Sequence, residues 1–207
     1  MSDRLKIVVA SRNAHKVSEI QSLLGDLPVQ LVTIDAVAPD AELREDENTF
    51  EGNALAKAHQ AARATGLVAI ADDSGLEVDA LEGEPGVWSA RYAGLPTDDA
   101  RNNEKLLVSL AGIPTAARKA RYQCCAVFVD LQNSESLVRF GACEGQILKA
   151  AQGTGGFGYD PLFFLPQLGK TMAQIDLAEK NSLSHRAKAF KSLAEAMKVY
   201  LKTRNIA

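Results

Sequence analysis

Two aspartates stand side by side in "AIADDSGLEV" (69–78), where an apolar run of strand type meets a hydroxyl residue and a glycine. Adjacent carboxylates repel, and neither is readily buried without a partner, so Asp72 and Asp73 call for compensation. Hard cations such as Mg²⁺ supply it, taking oxygens from one or two carboxylates and completing their shell with water and phosphate. Glu45 is a further oxygen donor, provided the helix after it runs back alongside the strand. It lies in "DAVAPDAELREDENTFE" (35–51), where seven acids meet one arginine. Ser74 adds a donor for a phosphate oxygen, and Gly75 permits a positive φ. The same four residues also read as a plain hairpin turn.

Cations recur where helix starts are expected. In "VVASRNAHKV" (8–17), Asn13, His15 and Lys16 stand at a helix N-terminus, whose dipole disfavours positive side chains unless an external anion joins them. In "NSLSHRAKAF" (181–190), Ser184 is a candidate cap and His185 and Arg186 fall in the first turn. A solvated turn accounts for the first stretch equally, and a carboxylate from another helix could hold Arg186. The glycines of "GTGGFGYD" (153–160) let backbone approach a flat ligand, with Phe157 as a stacking face and Asp160 as an acceptor; the loop also reads as a connector with a core aromatic.

These residues need a scaffold, and the periodicities describe one. "LKIVVA" (5–10) is a short β-branched strand, followed by a helix with Val17, Ile20 and Leu24 on one face and Gly25 as its C-cap. "VQLVTI" is a second strand. Asn48 and Glu51 resemble a capping pair for an Ala-rich helix that ends at Gly66. Then come the strand "LVAIA", the DDSG turn, the half-buried strand "LEVDAL", a glycine-rich loop, and a capped helix presenting Leu106, Leu107 and Leu110. "ARYQCCAVFVDL" and "SLVRFGACEGQIL" flank "QNSE" as a long antiparallel hairpin. A terminal helix from about Ser184 presents Ala187, Phe190, Ala194 and Met197. Alternating strands and helices followed by hairpins give an α/β class with a mixed sheet and helices on its faces.

Composition narrows the function. With 207 residues, 46% hydrophobic and 24% charged, the chain can bury a sizeable core. A net charge of -3 offers no basic footprint for nucleic acid or anionic membranes. Cys124, Cys125 and Cys143 form no CxxC pair and suit a reducing compartment. No apolar run is long enough for a signal core or a membrane span, so a cytoplasmic protein is expected.

Taken in order, "ASRNAHKVSEI", "TFEGNALAKA", "AIADDSGLEVDAL", "PGVWSARYAG", "GTGGFGYDPLFF" and "EKNSLSHRAKA" resemble the inosine triphosphatase family over nearly the whole chain. The resemblance implies one nucleoside-triphosphate pyrophosphatase domain over 1–207, an elongated two-lobed fold around a central mixed sheet with the active site in the cleft, and a homodimer. It implies Mg²⁺-dependent hydrolysis of non-standard purine nucleoside triphosphates (XTP, ITP, dITP) to the monophosphate and pyrophosphate, in cleansing of the nucleotide pool. By motif, Ser11, Asn13 and Lys16 match the phosphate loop, and Lys57 matches the lysine that neutralises the triphosphate. Asp73 matches the catalytic acid and metal ligand, with Asp72 beside it, Glu45 as the metal-binding glutamate and Ser74 on the substrate. Phe157, Gly158, Tyr159, Asp160, Lys180, His185 and Arg186 match the base-recognition and nucleotide-closing positions. His15 stands where relatives often have glycine. Two rivals stay open: a Maf-type pyrophosphatase of other specificity, and a non-catalytic module that senses purine triphosphates.

Overall fold

Strand alternation governs the arrangement seen in a computed structural model that describes residues 4–204. Seven strands form one mixed sheet: β1 (Leu5–Val9), β2 (Val29–Thr33), β3 (Val68–Val78), β4 (Lys119–Asp130), β5 (Glu135–Ile147), β6 (Phe163–Leu165) and β7 (Lys170–Thr171), in spatial order β2-β1-β3-β4-β5-β6-β7. β1 pairs parallel with β2 and with β3, as the intervening helices require, whereas β6 pairs antiparallel with β5 and β7. The helices are α1 (Ala14–Leu24), the single turn α2 (Ile34–Val37), α3 (Phe50–Thr65), α4 (Asp99–Ser109), α5 (Leu177–Leu183) and α6 (His185–Thr203).

The chain divides into two compact units. One runs up to Asp73 and adds Cys124–Gly141 and the chain from Arg186 on; the other holds Ser74–Gln123 and Ala142–His185. In the first, the period of two sends neighbouring strand residues into different cores. Ile7, Val9, Val68, Ile70, Cys124, Ala126 and Phe128 pack with α1 and with Phe190, Leu193 and Met197 of α6. Val8, Ala10, Ala69, Ala71, Cys125, Val127 and Val129 pack with the alanines of α3, whose small side chains bring that helix close to the sheet. The second unit has its own core, with Leu76, Val78, Leu106, Leu110, Tyr122, Phe163 and Met172.

Most element expectations hold, including the helix faces through Ile20, Leu106 and Phe190, and the long strands flanking residues 131–134. Two local readings are corrected. DDSG is not a turn: β3 passes unbroken from Val68 to Val78, joining the two strands expected there, and Gly75 is in extended strand. Sheet pairing and buried ionic partners outweigh turn-type composition at this point. The cap of α3 is Thr49, whose hydroxyl accepts the Gly52 N–H at 3.0 Å, rather than Asn48. The terminal helix starts where expected: Ser184 closes α5, donating its N–H to the Lys180 carbonyl at 2.9 Å, and stands with extended backbone directly before α6.

Candidate functional site

The alternation that builds the cores also separates the two aspartates. Asp72 sits on the face of β3 covered by α1 and α6, and Asp73 on the face covered by α3. Asp72 Oδ2 accepts from Arg186 Nη2 at 3.0 Å and Nε at 3.2 Å, with Lys16 Nζ at 3.5 Å. Arg186 Nη1 donates to Glu19 Oε2 at 2.6 Å, so one fully buried guanidinium serves two buried acids. Across the strand, Asp73 Oδ2 accepts from Asn53 Nδ2 at 3.0 Å, and Oδ1 lies 3.5 Å from Lys57 Nζ. Lys57 is also hydrogen-bonded to Glu45. Asn53 and Lys57 are four residues apart on α3 and therefore share a face. The turn before α3 is fixed by Asn53 as well, whose Oδ1 accepts the Glu47 N–H at 2.9 Å.

These surroundings drive the adjacent acids in opposite directions. Burial is the largest influence on each and pushes both up. For Asp72 the nearby Lys16, Arg186 and Lys57 prevail and hold the carboxyl well below the ordinary value. For Asp73 burial prevails over Lys57 and Lys16, and the carboxyl lies above its ordinary value. Burial alone would lower Lys57, but Asp73, Glu45 and Asp72 together raise it. Asp72 is thus held as the anion, while Asp73 is the more basic of the pair.

The sequence-predicted phosphate loop lies in this same unit. Asn13 caps α1, its Oδ1 accepting the Lys16 N–H at 3.1 Å, and Ser11 Oγ accepts the Asn13 N–H at 3.2 Å. The two side chains therefore hold the backbone turn that opens α1. Arg12 ties this loop to the start of the acidic segment, bonding to Asp35 and donating to the Pro39 and Ala41 carbonyls at 2.7 and 2.8 Å.

Glu45 and Asp73 fit a hard divalent cation by their chemistry: two carboxylates gathered on one positive charge, all donors oxygen. Among the described residues there is no cluster of three or more His, Cys, Asp or Glu placed to hold an ion unaided. Mg²⁺ does not need one, since it binds through one or two carboxylates and completes its shell from water and phosphate.

The second unit gathers the remaining predicted residues. Asp160 organises them: Oδ2 accepts the Phe157 N–H at 3.1 Å and Lys180 Nζ at 2.9 Å, and Oδ1 accepts the Tyr122 hydroxyl at 3.2 Å. Lys180 lies 4.6 Å over the Phe157 ring. Tyr122 stacks on His185, centroids 4.7 Å apart and planes 13° from parallel, and burial, aided by Asp160, keeps its hydroxyl protonated well beyond the ordinary range. Tyr159 is buried and donates to the Ser89 carbonyl at 2.8 Å. The close passage needs glycine: at Gly156, φ +72°, a Cβ would lie 2.1 Å from Asp160 Oδ2. Ser74 follows Asp73 directly in β3.

The structure thus brings Ser11, Asn13, Lys16, Glu45, Lys57, Asp72, Asp73 and Arg186 into the first unit, and Ser74, Phe157 to Asp160, Lys180 and His185 into the second. Four residues escaped the sequence reading. Glu19 and Asn53 carried a signal, since each lies three or four residues from a predicted lysine on the same helix. Arg12 stands inside the phosphate loop, between Ser11 and Asn13. Tyr122 gave none, sitting in a strand-like run that reads as core.

Comparison with known proteins bears out the resemblance drawn from the six sequence blocks. The family model described as the Ham1 family matches residues 7–196. A dITP/XTP pyrophosphatase of Desulforamulus reducens is 48% identical over 93% of this chain and 96% of its own length. One from Shigella flexneri is 45% identical over 93% of this chain and 98% of its own. The solved structure of a HAM1 protein from Coxiella burnetii superposes with a TM-score of 0.86, at 39% identity over 94% of this chain and 98% of that one.

Proposed function

The chain belongs to the Ham1 family, and from that premise we propose that it is a nucleoside-triphosphate pyrophosphatase hydrolysing XTP, ITP and dITP to the monophosphate and pyrophosphate. The observation that carries the reading is the convergence of Glu45 and Asp73 on Lys57, on an element beside a capped helix start that bears Lys16. The names of its relatives, dITP/XTP pyrophosphatases, supply the substrate class.

In this reading the backbone N–H groups at the start of α1, with Ser11, Asn13 and Lys16, receive phosphate oxygens, where the helix dipole favours negative charge. Lys57 offsets charge that grows on the polyphosphate in the transition state, usually the largest catalytic contribution. Glu45 and Asp73 are the residues that would hold Mg²⁺; Asp72, expected beside them, faces the other side of β3, where Arg186 and Lys16 engage it. When bound, Mg²⁺ supplies Lewis-acid stabilisation of phosphate charge. Asp73 Oδ1 takes the proton of a water attacking the α-phosphorus, and the bond to the β-phosphate breaks, releasing pyrophosphate. A buried carboxylate held above its ordinary value suits that task.

The base falls to the second unit. Phe157 offers a face for stacking, and Lys180 or a loop N–H donates to the 6-oxo group that hypoxanthine and xanthine share and adenine lacks. A buried donor left unpaired by adenine supports discrimination on the order of 10⁴-fold. A cytoplasmic homodimer, with no part for nucleic acid or membrane, belongs to the same proposal, and light scattering tests the dimer. The central experiment measures pyrophosphate release from XTP, ITP, dITP, GTP and ATP with and without Mg²⁺. The expected result is Mg²⁺-dependent turnover with kcat/KM far higher for the first three, abolished in Asp73→Asn with the fold retained. Equal rates on all five, no release, or an active Asp73→Asn variant would refute it.

A further inference from the structure

The loop assigned to the base is fixed from two directions, and one of them belongs to neither family motif nor core. Asp160 fastens Phe157 from inside the loop. From outside, Asp99 Oδ2 accepts the Gly158 N–H at 2.6 Å, and Asn103 Nδ2 donates to the Gly158 carbonyl at 2.8 Å. Asp99 and Asn103 stand one turn apart at the start of α4 and so face the same way. Together they grip both polar groups of a single glycine, the residue between the Phe157 ring and the buried Tyr159.

Three features suggest that this grip serves more than packing. Gly158 has φ +59° and no side chain; the Asp160 N–H closes the turn over it on the Phe157 carbonyl at 3.2 Å, and the two α4 side chains hold its own N–H and carbonyl. A Cβ at Gly158 would meet nothing within 4 Å, so glycine is not required there to make room for a neighbour. Asn103 also bears a cost: its orientation is dictated by the Gly158 carbonyl, which must face the amide NH₂, and this leaves the buried Oδ1 without a hydrogen-bond partner.

We propose that Asp99 and Asn103 are positioning residues for base recognition: they hold the peptides flanking Gly158 so that the Phe157 ring is presented in its stacking orientation before substrate arrives. This rests on the reading of loop 157–160 as the base site. Preorganisation of this kind lowers the ordering cost of binding and leaves the chemical step, on other residues, untouched.

The test is steady-state pyrophosphate release from XTP and dITP by Asp99→Ala, Asn103→Ala and Asp99→Asn, with hydrogen exchange followed at residues 157–160. Each alanine variant should raise KM about tenfold, equivalent to about 1.4 kcal/mol, with kcat within about twofold, and exchange at Gly158 should quicken. Asp99→Asn keeps an oxygen that can accept the Gly158 N–H, so it should stay near the parent KM; a role through helix charge would not be rescued in this way. Parental KM values in both alanine variants, equal falls in kcat and kcat/KM, or an Asp99→Asn as impaired as Asp99→Ala would overturn the proposal. Failure of the parent itself to release pyrophosphate would instead remove the functional reading beneath it.

Discussion

Arg186 is the most instructive residue to remove, because the structure states what it leaves behind. Its side chain is 1% exposed, and the side chains it bonds, Asp72 and Glu19, are 0% and 7% exposed. Replacing it with methionine retains length and most apolar contact while withdrawing the charge and three hydrogen bonds. Asp72 then keeps Lys16, at 3.5 Å, while Glu19 loses the guanidinium it accepts from. Taking one partner from a buried ion pair costs about 3–5 kcal/mol. In a chain of this size each kcal/mol lowers Tm by about 2–4 °C, so Arg186→Met should melt roughly 6–20 °C below the parent at pH 7. The pH dependence checks the cause. In the parent, although burial raises it, Lys16, Arg186 and Lys57 hold the Asp72 carboxyl well below its ordinary value, so its contribution is full above the unfolded value, about pH 4, and is lost as pH falls through the folded one. Removing Arg186 takes away part of that contribution, so the deficit should shrink as pH falls below about 4. Adding Glu19→Gln should recover part of the loss, since it removes one stranded charge. Thermal melts followed by circular dichroism measure all of this. A variant within about 2 °C of the parent, or a deficit unchanged on acidification, would refute the account.

Two further perturbations address other parts of the molecule. Gly156→Ala must push a Cβ into Asp160 Oδ2, whereas Gly169→Ala, also at positive φ, meets nothing within 4 Å; both bear a left-handed backbone cost of about 1–3 kcal/mol, but only the first should also raise KM for XTP more than tenfold, and equal kinetics in the two would dismiss Asp160 as the organiser of its loop. Asp130 accepts from the Gln132 and Asn133 backbone, the Asn133 amide and Tyr200, and although burial, the largest influence, raises its carboxyl, these bonds hold it below the ordinary value. Its contribution is therefore full above about pH 4 and lost as pH falls through the folded pKa, so the stability gap between parent and Asp130→Asn should narrow below that point; a gap constant from pH 7 to pH 3 would contradict it.

What the sequence could and could not disclose follows the range of the forces involved. Helix faces such as Val17, Ile20 and Leu24 are fixed by neighbours three or four residues away, and they were legible. The phosphate loop was too, because a cation at a helix start is anomalous on local grounds alone. The partners that settle the aspartates are distant: Arg186 lies 114 residues from Asp72, and Lys57 lies 16 from Asp73. Without them, Asp-Asp-Ser-Gly reads as a turn, the conformation that would leave both charges in water.

The unbroken strand matters for the chemistry as well as for the fold. A turn would have set both carboxylates on one side, where mutual repulsion raises one of them by proximity. β3 sends them to opposite faces, so each answers to its own surroundings: Asp72 to Arg186 and Lys16, Asp73 to burial against Asn53 and Lys57. The difference in basicity between two identical neighbours is therefore a consequence of strand parity. It follows that Asp72 and Asp73 are not interchangeable despite their adjacency: the first is committed to the ion network that fastens α6 to α1, and the second, raised by burial beside Lys57, is the more basic of the two.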